Sequence, residues 1–137
     1  NLAASSVYLF NSNFYREDWR GAVSFVEQKA QPHTLVLFES RSVLPGFSWY
    51  SKGIVDAVGG LTDNLPQIIK GRKQIFVFQY LVEINDPERV VEKMLGDNGF
   101  IKIATYDFRG VGFVFLYERR IQYSWDENRN RYLADSL

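Results

Sequence analysis

Glu39, Ser40 and Arg41 follow an unbroken apolar run, Leu35-Val36-Leu37-Phe38, which sets an acid and a guanidinium side by side just past the end of a strand. Ligands of open α/β sheets collect outside the carboxyl ends of the strands, so this is where chemistry is expected. Trp49 and Tyr50 come soon afterwards and add aromatic faces, while Glu83 lies beyond a second apolar run, Phe76-Val77-Phe78-Gln79-Tyr80. A cation, two acids and aromatic rings form a mixture suited to a phosphate-linked sugar or a lipid headgroup. Helix N-termini on the same edge are expected to offer unpaired amides to an anionic group. The competing reading is a short helix that packs Trp49 and Tyr50 inward.

Catalytic constellations are missing. Serine-type hydrolysis needs a base beside the nucleophile; the single histidine, His33, opens a predicted strand, and no Gly-x-Ser-x-Gly elbow accompanies any serine. One histidine without carboxylates at ligand spacing makes no zinc site, and the absence of cysteine removes disulfides, thiolate ligands and a cysteine nucleophile. Dinucleotide binding needs glycines at fixed spacing between a strand and a helix; Val58-Gly59-Gly60-Leu61 and Gly110-Val111-Gly112 read as turns instead. The carboxylate pairs Glu17/Asp18, Glu83/Asp86 and Asp126/Glu127 belong to two helix starts and a solvated tail. No catalytic residue, metal or cofactor is assigned. Sixteen basic residues balance sixteen acidic ones, which leaves no net charge to draw the chain nonspecifically to nucleic acid or to anionic lipid.

Those residues need a frame. The 137-residue chain fits one domain large enough to bury a core. Residues 1–14 read as a lead-in in which Val7-Tyr8-Leu9-Phe10 docks on a single α/β domain over residues 15–119, and residues 120–137 read as a polar, partly disordered tail. Trp19, Ala22, Val23, Val26 and Ala30 have helical spacing behind Glu17 and Asp18. Gly21 within that helix suggests close approach to a neighbouring backbone. The two apolar runs predict central strands buried on both faces. Between them come short helices near Pro45 and Pro66 and a strand at residues 54–58. Asp86-Pro87 predicts a helix start with Val90, Val91, Met94 and Leu95 as its buried stripe. Two further strands, residues 100–106 and 111–117, read as an antiparallel hairpin. The predicted fold is α/β and Rossmann-like: three layers, a mostly parallel sheet with helices on both faces, and a C-terminal antiparallel hairpin.

One stretch ties this frame to a larger kind of protein. Tyr15-Arg16-Glu17-Asp18-Trp19-Arg20-Gly21-Ala22-Val23 followed by Leu35-Val36-Leu37-Phe38-Glu39 resembles the soluble C-terminal domain of membrane glycosyltransferases of the dolichyl-phosphate-mannose protein mannosyltransferase type. The likeness continues through Phe47-Ser48-Trp49-Tyr50, Phe76 to Tyr80, Asp107 to Phe113 and Leu116-Tyr117-Glu118-Arg119, covering roughly residues 13–119. It implies that the acidic-Asp-Trp-Arg element opens the first helix after the last membrane span. It also implies an extracytoplasmic location, a polyprenyl-phosphate sugar donor, and a catalytic acid in a membrane-region loop outside this chain. On that reading Asp18, Trp19 and Arg20 are candidate contacts to the membrane-embedded portion of the same polypeptide. A lipid-linked sugar or a glycan acceptor is the remaining partner. The structural alternative buries Trp19 against the sheet and pairs Arg20 with Glu17 or Glu39. The chain has no run of the roughly eighteen apolar residues that a span requires and reads as soluble; Asn1 in place of methionine suggests a processed protein or an excised piece, and the resemblance favours the latter. A free-standing Rossmann-like enzyme such as a methyltransferase, and a protein-binding module, remain as alternatives.

Overall fold

The computed structural model describes residues 17–60, 63–120 and 122–135, so the predicted lead-in, residues 1–14 with Val7 to Phe10, lies outside the described residues. The first helix, α1 (Trp19–Lys29), begins because the Asp18 carboxylate accepts from the Gly21 amide at 3.0 Å, and it ends where Ala30 turns extended ahead of Pro32. Ala22, Val23 and Val26 are its buried face. Gly21 is required by this cap: a Cβ there would lie 2.3 Å from Asp18 Oδ2, so the constraint comes from the helix's own capping residue and not from a neighbouring backbone.

Both apolar runs are fully buried strands, β1 (Thr34–Phe38) and β3 (Gln74–Phe78), as their continuous hydrophobicity requires. After β1 come a single 3-10 turn (Arg41–Val43), α2 (Leu44–Tyr50) and β2 (Asp56–Gly59); α3 (Leu65–Ile69) then leads into β3. Gly59 is fixed by close approach, since a Cβ would sit 2.9 Å from the Ser40 carbonyl oxygen and 3.0 Å from Arg41 Cα.

After β3, α4 (Val82–Asn85) is a turn of helix that periodicity does not announce. The predicted start at Asp86-Pro87 needs correcting: α5 is Val90–Asp97, and Pro87 stays outside it. Arg89 is left-handed at φ 58°, which carries Asp86 back over the helix start, where its two carboxylate oxygens accept from Val90 N (2.8 Å) and Val91 N (3.1 Å). Asp86 thus caps α5 from four residues away.

β4 (Phe100–Phe108) and β5 (Gly112–Arg119) pair antiparallel through a tight turn. The main sheet has the order β2-β1-β3-β5-β4. It is a mixed sheet: β1 pairs in parallel with β2 and β3, the predicted antiparallel hairpin is β4–β5, and β5 returns between β3 and β4, antiparallel to both, which the sequence did not show. Alternation along the strands feeds two cores. Val36, Phe38, Phe76, Phe78, Val114 and Leu116 pack with α1 and α2; Leu35, Leu37, Ile75, Val77 and Tyr117 pack with α3 and α5.

The segment read as a partly disordered polar tail forms β6 (Gln122–Asp126) and β7 (Arg131–Asp135), a separate two-stranded antiparallel sheet. Cross-strand pairing of Trp125 with Tyr132, rings 5.1 Å apart, organises strands whose composition is polar. Among the described residues no helix is long and apolar enough to cross a membrane.

Candidate functional site

After β1 the chain crosses by α2 to β2 on one side, and after β3 it leaves by α4 and α5 on the other face to reach β4. The carboxyl ends of β1 and β3 therefore flank a topological switch point, where connections diverge and leave a crevice. Glu39 and Gln79 are the residues that stand there. They are 5% and 9% exposed, and the Gln79 side-chain amide donates to Glu39 Oε1 at 3.4 Å. Burial pushes the Glu39 carboxyl up to about 7; a bond from its own backbone amide opposes this, the charge of Asp86 adds to it, Arg89 opposes it, and Glu92 adds to it.

The start of α1 is fastened to the same edge. Glu17 accepts from Trp19 Nε1 at 2.8 Å through one oxygen and from the Tyr80 hydroxyl at 2.9 Å through the other. The Trp19 indole stacks on Phe78 with centroids 5.8 Å apart and meets the Tyr80 ring edge-on at 5.2 Å. Burial and the Glu17 hydrogen bond both raise the Tyr80 pKa. Asp18 N donates to the Arg109 carbonyl at 2.7 Å, which ties α1 to the β4–β5 turn.

Beside this clasp lies a groove of about 540 Å³, lined by Gln79, Tyr80, Glu83, Arg89, Glu92, Asp107 and Phe113 among others. Arg89 is drawn toward Glu83 at 3.7 Å and donates to the Asp86 carbonyl at 2.9 Å. Acids outnumber cations along it.

The structure distributes the predicted candidates over several places. Glu39 is buried at the switch point and Glu83 lines the groove, whereas Arg41 is exposed with its side chain against Gly60. Trp49 is 79% exposed; Phe47, two positions earlier, is the aromatic that α2 turns inward. Tyr50 belongs to a second cleft of about 260 Å³ between α1 and the loop after α2, shared with Arg20, Ser24, Glu27, Lys52 and Ile54. Trp19 is half-buried against the sheet. Arg20 is exposed and forms no ion pair among the described residues; its guanidinium lies over the Tyr50 ring at 5.7 Å, and the carboxylate expected for it, Glu17, serves Trp19 and Tyr80.

The amides expected to await an anion are in use: Asp86 takes those at the start of α5, and Ser40 Oγ accepts from Ser42 N at 3.2 Å. Among the described residues no group of three or more potential ligands could hold a metal ion. Sequence reasoning missed Gln79, Arg89, Glu92 and Asp107. Gln79 was within reach, because it follows β3 as Glu39 follows β1; the others depend on how α5 and the β4–β5 turn are carried over the edge.

Comparison of the chain with protein-family models, curated proteins and solved structures finds no match.

Proposed function

We propose that this is a soluble, extracytoplasmic accessory domain of a membrane glycosyltransferase that uses a polyprenyl-phosphate sugar donor, and that the domain is not catalytic by itself. The observation that carries the reading is the Glu17–Trp19–Tyr80 clasp, which brings the acidic-Asp-Trp-Arg element to the same sheet edge as the groove. A domain joined to its parent there presents the groove toward the parent. The helix-covered faces and the β1–β3 switch point are read as a Rossmann-like, three-layer arrangement adapted to binding. The excess of Glu83, Glu92 and Asp107 over Arg89 repels a phosphate, so the groove suits the neutral hydroxyls of a glycan acceptor better than the donor's anionic headgroup.

The test is incubation of the purified 137-residue chain with a polyprenyl-phosphate sugar and an acceptor. No transfer is expected, and turnover would overturn the reading. One observation favours a free-standing enzyme: Glu39, whose carboxyl at about 7 is poised for proton transfer. That alternative gains if turnover appears and is lost in Glu39→Gln.

A further inference from the structure

The most exposed large apolar side chains of the main domain on the α1–α2 side are Trp49, at 79%, and Ile54, at 65%, and they flank one short loop. That loop is held in place. Glu27 of α1 accepts from Ser51 Oγ at 3.1 Å and from Lys52 N at 2.9 Å, and Gly53, at φ 75°, donates its amide to Ser51 Oγ at 3.0 Å. The indole is therefore presented by a preorganised turn, which lowers the ordering cost of using it.

Charge around the loop is basic in excess. Arg20 and Lys52 are exposed and form no ion pair among the described residues, and Lys29 lies on the same helix with its ammonium 5.3 Å from the Phe25 ring centre. Of the neighbouring acids, Asp56 is paired with Arg72 at 2.8 Å, while the Glu27 carboxylate, buried and bonded to the loop, offsets one of these cations. An exposed indole and a branched aliphatic chain at the two ends of a loop that carries Lys52 and shares a cleft with Arg20 match the boundary of a bilayer, where an aromatic ring sits at headgroup level and Lys or Arg pairs with acidic lipid.

We infer that the Trp49–Ile54 loop with Arg20 and Lys52 docks on the surface of a membrane rich in acidic phospholipid. The inference goes beyond the function proposed above and does not depend on the chemistry of any parent protein. Two or three cations and one indole give weak binding, on the order of millimolar lipid, well short of stable anchoring. Such contact becomes effective for a domain held near the bilayer by other means.

The experiment is flotation of the 137-residue chain with vesicles of phosphatidylcholine alone and with about one-third phosphatidylglycerol. Binding is expected to the acidic vesicles only and to fall with added salt. Trp49→Ala and Ile54→Ser, both at exposed positions, should each weaken it by about fivefold or more, and Lys52→Glu should weaken it comparably. Trp125→Ala, in the separate β6–β7 hairpin, should leave it unchanged. Absence of binding to acidic vesicles at millimolar lipid would overturn the inference, as would binding indifferent to Trp49→Ala and Lys52→Glu in variants with wild-type circular dichroism. Loss of vesicle binding would leave the glycosyltransferase reading to its own assay.

Discussion

Three glutamates show how position decides what a carboxylate does. Glu17 bridges two ring systems, Glu27 accepts from a loop's hydroxyl and amide, and Glu39 has a long bond from Gln79 and one from its own backbone amide. Weakly compensated burial is why Glu39 holds its proton to about 7, against an ordinary value of 4.5. Between those two values the folded chain keeps a proton that the unfolded chain has released, so stability from this group is full below about 4.5 and is lost as pH rises through about 7. The whole effect is roughly 3 kcal/mol. Glu39→Gln stays neutral and keeps an amide opposite Gln79, so it should flatten this part of the stability curve and exceed the wild type above the folded pKa. Urea unfolding across the window checks this; a variant that tracks the wild type at every pH would show that water reaches Glu39. The acid after β1 was legible in the sequence, but its burial was not, because burial requires Gln79 and the α4–α5 connection to close over it.

At the scale of elements, the caps carry most of what local sequence can encode. Asp18 is visible as a cap because it directly precedes the apolar stripe of α1. Asp86 was legible as a cap but not at its true reach, since the left-handed Arg89 between it and α5 has no sequence signature. β1, β3, β4 and β5 were all readable as apolar runs, whereas β6 and β7 were not, their order resting on a cross-strand pair inside a polar segment. The coupling of Asp18 to Gly21 gives a sharp test. Gly21→Ala should gain about 1 kcal/mol of helix propensity but must displace the capping carboxylate, whose loss costs about as much. In the wild-type background the change should be near zero or destabilising. In an Asp18→Ala background, with no carboxylate left to meet, the same substitution should stabilise by about 1 kcal/mol. Equal effects in both backgrounds would sink the account of Gly21.

For the whole molecule, the division into two sheets predicts where cooperativity ends. The five-stranded sheet is closed at its amino edge by Arg119, whose guanidinium donates to the carbonyls of Arg72 at 2.9 Å and Ile69 at 3.2 Å and lies over the Phe100 ring at 4.4 Å. Arg120 N then donates to the Gly99 carbonyl at 2.6 Å, and beyond it, among the described residues, β6 and β7 pair only with each other. Trp125 and Tyr132 remain 48% and 67% exposed in that hairpin, so this ring pair stays largely in water. A two-stranded ribbon of this kind is marginal in water without a third layer. Truncation after Arg120 should therefore shift the unfolding free energy by no more than about 0.5 kcal/mol and leave one cooperative transition with nearly the same denaturant slope. Truncation two residues earlier, which removes Arg119, should cost several times more, because part-buried carbonyls at that edge lose their donor and Phe100 loses the guanidinium over its ring. If the shorter cut alone abolished the transition, the hairpin would be part of the core, and the domain would have to be redrawn to include it.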